Sequence, residues 1–94
     1  MLIRITAGSP VSKRIATYVL YGGKLLAIDL GEYIPSPGTY VAGTFVGYTI
    51  EETRLFADKV NNMARLSQRM IDAHNGQFAV TVEEIDGPIP DWAQ

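Results

Sequence analysis

The chain contains no cysteine and a single histidine. Without cysteine there is no disulfide framework and no thiolate metal site. With one histidine, a zinc site would need several clustered carboxylates, and no Asp or Glu spacing suggests one. Long hydrophobic runs are missing too: nothing approaches the ~18 apolar residues that span a membrane. Met1-Leu2-Ile3-Arg4-Ile5 alternates instead of forming the continuous apolar segment of a signal peptide. There is no surplus of positive charge either, since the formal net charge is −2, which argues against a dedicated nucleic-acid binder. The nucleophile elbow G-x-S-x-G, the Walker A loop and G-x-G-x-x-G are all absent. These absences lead to the expectation of a soluble, cytoplasmic protein with no metal or other cofactor and no membrane partner.

What is present suits one small globular domain. An apolar share of 47% against 19% charged residues is enough to fold. A chain of 94 residues buries only a modest core, so help from an oligomer partner is expected. Residues 1–86 read as a single α+β domain and residues 87–94 as an extended Pro/Trp tail.

Thr49 to Gly76 carries the clearest local signal. Thr49 and Glu52 have the T-x-x-E spacing of a capping box, and Asn75-Gly76 provides the left-handed stop. Phe56, Val60, Met63, Ala64, Met70 and Ile71 recur at three- and four-residue spacing between them. One long helix over about 50–75 is predicted, with an apolar face that needs a sheet to cover it.

The sheet is read from the remainder. Leu2 to Thr6 is a short β-rich run closed by Gly8-Ser9-Pro10. Residues 10–21 admit two readings. Ser9, Pro10 and Gly22-Gly23 could frame a helix with Val11, Ile15, Tyr18 and Val19 on one face. Alternatively Gly22-Gly23 is a two-residue hairpin turn that pairs Val19 with Leu26, Thr17 with Ile28 and Ile15 with Leu30. The β-branched and aromatic run Thr17–Tyr21 favours the hairpin. Pro35 and Pro37 make Gly31–Gly38 a loop. Thr39–Tyr48 resumes as a strand, whose Gly43 and Gly47 would let the helix approach closely. Gln77–Ile85 forms the last strand, with Phe78, Val80 and Val82 toward the core, and Asp86–Trp92 runs extended over the surface. The expected fold is α+β: an antiparallel sheet of about five strands, with a β-hairpin around Gly22-Gly23 and one long helix on one face. A helical 10–21 would give the ferredoxin-like order β-α-β-β-α-β instead.

Few residues suggest chemistry. His74 lies near the helix C-terminus, where the dipole favours a cation. Paired with a carboxylate it could serve acid–base catalysis, but no partner is recognisable and no catalytic residue is assigned. Glu51 and Glu52 suit the positive end of the helix dipole. Asp29 and Glu32 are explained by a solvated turn, and Glu83 and Glu84 point to opposite strand faces. Binding features are richer. Tyr18, Tyr40 and Tyr48, with Lys13, Arg14 and Arg69, could hold a small anionic or nucleotide-like ligand at subunit junctions. Leu55, Leu66 and Ala73 form a second helix stripe, interleaved with Lys59, Asn62 and Arg69, that a one-face helix does not need. The hairpin face of Ala16, Tyr18, Leu20, Leu25 and Ala27 is also more apolar than a solvated surface. Trp92, behind two prolines, either docks on its own domain or reaches a neighbour. The reading is a non-enzymatic homo-oligomer, a dimer or higher, that sequesters a nucleotide-like ligand. Small domains of this type are common among phage and mobile-element accessory proteins. One alternative is an inhibitor or adaptor that grips a host macromolecule through the helix flank or the Trp tail. The other is a small enzyme built on His74.

Overall fold

The computed structural model describes residues 1–29 and 45–94. β2 (Lys13–Tyr21) and β3 (Lys24–Asp29) form the antiparallel hairpin. Gly22 and Gly23 turn it at φ 60° and 80°, a conformation that matches the twist of paired strands and that glycine adopts without penalty. Residues 13–21 are therefore strand, and the helical reading falls together with the ferredoxin-like order it implied. Val19 pairs with Leu26 as expected. A bulge between Thr17 and Tyr18 sets Thr17 opposite Asp29 instead of Ile28. The Ile15–Leu30 pairing, the Gly31–Gly38 loop and residues 39–44 of the expected strand lie outside the described residues. Phe45–Gly47 is a turn, not the end of a strand. It leads into two bonds with the side of β3 away from β2: the Leu25 N–H donates to the Tyr48 carbonyl and the Gly47 N–H to the Leu25 carbonyl, each at 2.8 Å.

β1 (Leu2–Gly8) and β4 (Ala79–Ile85) complete an antiparallel sheet in the order β3-β2-β1-β4. Among the described residues the sheet has four strands, one fewer than expected.

The helix begins as its cap dictates. Thr49 Oγ1 accepts the Glu52 N–H at 3.1 Å, and the Glu52 carboxylate accepts the Thr49 N–H at 3.0 Å. It does not run to residue 75. α1 (Ile50–Leu66) ends at Ser67, whose backbone is extended at φ −87°, ψ 115°. The Ser67 N–H closes α1 on the Met63 carbonyl, and its hydroxyl accepts the Met70 N–H to cap α2 (Gln68–His74). Serine competes with the helix for its own backbone groups, so it suits a junction better than an interior. Asn75 and Gly76 then stop α2 in the left-handed conformation, as the sequence predicts.

Both helices belong to one face of the sheet. Ile3, Ile5 and Ala7 of β1, Ala16 and Tyr18 of β2, Leu25 and Val80 cluster there with Phe45 and Ala57. The hairpin face read as surplus is thus the one beneath the helices, with Leu20 and Ala27 against the same core. Phe78 and Val82 pack on it too. On α1 the buried positions are Thr53, Ala57 and Ala64, while Met63 is 67% exposed. The core-facing line is rotated by part of a turn from the expected one.

Leu2 and Val19 face the other way, yet both are buried. The tail returns across this side. A Cβ on Gly87 would sit 2.8 Å from Leu2 Cδ1. Asp91–Ala93 forms a short 3-10 turn, and Trp92 sets its ring edge-on to Tyr21 with centroids 6.4 Å apart. The tail is therefore not extended to its end, and its tryptophan docks on its own domain while staying 55% exposed.

Candidate functional site

Among the described residues the most exposed large apolar side chains lie on the outward side of α1. Leu66 is 86% exposed and Leu55 58%. At roughly 100° per residue, positions 55, 59, 62 and 66 fall within about 60° of arc, opposite the buried Ala57 and Ala64. Lys59 and Asn62, both polar, occupy the middle of this line. Met63 widens it toward the side of Phe56. The sequence pattern placed Met63 in the core because it lies three residues from Val60. The seven-residue step from Ala57 to Ala64 was the signal that it belongs outside. Ala73 does not extend the stripe: it is half-buried on α2, beyond the break at Ser67.

Charges flank the stripe. Asp58 and Arg65 are exposed and occur in no ion pair among the described residues. Arg65 donates from Nη2 to Asn62 Oδ1, which draws the guanidinium back along the helix. At the N-terminus, Glu52 is held below the ordinary carboxylate value of 4.5, chiefly by the Thr49 backbone N–H, then by the Thr49 hydroxyl, with a smaller contribution from Lys24.

The ligand-binding candidates are not brought together. Tyr18 is fully buried, edge-on to Phe45, so it belongs to the core and offers no surface to a ligand. Tyr48 is half-buried against Phe45 and Phe56. Lys13 and Arg14 begin β2 at the opposite end of the sheet, about 23 Å away at ~3.3 Å per residue. Arg69 is exposed on α2, whose last turn reaches toward that same end. Tyr40 lies outside the described residues.

His74 has a partner the sequence did not indicate. It is fully buried, and its Nδ1 lies 2.7 Å from Ser9 Oγ. Ser9 sits in the turn between β1 and β2, where its N–H and carbonyl bond to the Ser12 backbone and its hydroxyl accepts the Val11 N–H. Gly8 enables this turn at φ +130°, where any Cβ would collide with the Ser12 carbonyl. The pair ties the end of α2 to the sheet. Nε2 is buried without a hydrogen-bond partner among the described residues. Among the described residues no carboxylate bonds to the ring, and Ser9 and His74 are both buried.

Shallow clefts lie beside the helices among the described residues. One, of about 350 Å³, lies between the ends of α1 and α2 and is lined by Ala64, Arg65, Met70, Ile71, Gly76 and Phe78. Its one charged side chain has no convergent polar partner of the kind that orients a small ligand. A second, of about 240 Å³, separates α1 from the edge of β4 beside Arg54 and Asp58. Among the described residues no group of three His, Asp or Glu side chains is placed to hold a metal, and no helix is long and apolar enough to cross a membrane. No protein-family model, curated protein or solved structure matches the chain.

Proposed function

We propose that this chain is a small protein-interaction module that acts by docking another protein surface on the outward stripe of α1, without catalysis of its own. The observation that carries the reading is Leu66, 86% exposed and in line with Leu55 on a helix whose other face is already satisfied. Burying a leucine side chain contributes about 1.5–3 kcal/mol, a gain this chain leaves unused by its own fold. Aligned apolar residues on a helix are the form in which a helical surface is read by a partner. The separation of Tyr48 from Lys13 and Arg14, and the burial of Tyr18, favour this over the small-ligand reading.

The test is site-specific photo-crosslinking in cells that make the protein. A benzophenone-bearing residue at position 66 is expected to give discrete protein adducts, and Leu55→Asp in the same chain should abolish them. The same probe at Thr81, exposed on the far side of the sheet, should give none. Absence of adducts at position 66, or equal adducts at both positions, overturns the reading.

A further inference from the structure

We infer that the surface docked on this stripe is a second copy of the chain, with the two α1 helices antiparallel about a two-fold axis passing between Val60 and Asn61. The inference rests on the protein-interaction reading above and names its partner. Positions 55, 59, 62 and 66 step by four, three and four residues, the spacing of a seam between two helices. The spacing is symmetric about its centre. An antiparallel copy therefore sets Leu55 against the second copy's Leu66 at both ends of a seam about 16 Å long. In the middle Lys59 meets the second copy's Asn62. A parallel, in-register pair would instead oppose Lys59 to Lys59, a like-charge contact.

The flanking charges fit the same axis. Asp58 and Arg65 lie on one flank of α1, two turns apart and about 10 Å along the axis, too far to pair within one helix. Antiparallel two-fold packing brings that flank of one copy beside the same flank of the other. Arg65, drawn back to the level of Asn62 by its bond to Oδ1, then stands opposite the second copy's Asp58. Each interface has two such pairs. The polar centre weakens the seam but fixes its register, as single buried polar positions do in paired helices.

Reversing one charge at a time and then mixing the variants separates self-docking from any other contact. In sedimentation equilibrium of the full chain, the wild type should show a concentration-dependent dimer. Asp58→Arg and Arg65→Asp should each weaken it about tenfold, since two attractive pairs become two repulsive ones. An equimolar mixture of the two variants should re-form a 1:1 dimer at close to wild-type affinity, because both junctions again join opposite charges. Both positions are exposed, and unchanged circular dichroism would show that the fold is retained. A wild type that stays monomeric, or a mixture no tighter than either variant alone, overturns the inference. Adducts at position 66 that differ from twice the chain mass would do so while leaving the interaction reading intact. No adduct at all removes the reading itself.

Discussion

Glu52 performs two tasks at the start of α1, and both depend on its charge. It returns the capping contact to the Thr49 N–H, and it places a negative charge at the positive end of the helix dipole. The Thr49 N–H is the main cause of its lowered pKa. A carboxyl whose folded pKa is depressed contributes stability that is present above its unfolded value of 4.5 and is lost as pH falls through the lower folded value. Glutamine keeps the hydrogen-bonding shape but not the charge. The melting temperature of Glu52→Gln should therefore fall below wild type at pH 7, and the gap should close as pH is lowered through and beneath 4.5. Thr49→Ala removes the other half of the box and should cost about 1 kcal/mol at neutral pH, a drop of about 4–8 °C. Melting curves across pH 2–7 would check both. A gap for Glu52→Gln that is constant with pH would mean the charge plays no part.

Asn61 shows how one element closes another. Its side-chain amide donates to the Val80 carbonyl at 3.0 Å and accepts the Val80 N–H at 2.7 Å, the two bonds a neighbouring strand would make. Among the described residues β4 is an edge strand, and open edges recruit other chains. Asn61→Ala should cost about 2 kcal/mol, at ~1 kcal/mol per bond. It should raise amide exchange at Val80 while leaving Ile5 and Tyr18 protected, which exchange NMR would resolve. Equal loss of protection at all three would mean global destabilisation instead. Nothing local marks this contact in the sequence, since Asn61 reads as an ordinary polar helix residue and its partner is backbone nineteen positions on. What was legible depends on neighbours in the chain: the Thr49–Glu52 cap, the Gly22-Gly23 turn and the Asn75-Gly76 stop. Ser67 was legible in principle, being a good N-cap, but Met70 at the third position lacks the side chain that completes a capping box. The Thr17 bulge, the Ser9–His74 bond and the choice of which hairpin face lies under the helices come from long-range packing. The Leu55/Leu66 stripe is legible in the sequence because it is a surplus, apolar residues that one covered face does not account for.

The molecule has two sides with different needs. A domain of this size has little core to spare, and here the helices cover one face of the sheet while the tail attends to the other. Leu2 and Val19 are buried on the tail side, where Gly87 passes Leu2 and Trp92 meets Tyr21. Leu55 and Leu66 point away from the sheet on the helix side. The sheet stands between these two surfaces, so they should respond separately to substitution. Trp92→Ala removes an edge-on aromatic contact and a half-buried ring. It should lower stability by about 1–2 kcal/mol and leave the dissociation constant of any dimer within about twofold. Leu66→Asp should do the reverse, weakening association at least about tenfold with a melting temperature of the dilute chain close to wild type. Thermal unfolding and sedimentation of the two variants side by side would decide the matter. A Trp92→Ala chain that melts normally but no longer associates would move the interface from α1 to the tail, where half the tryptophan ring remains open to solvent.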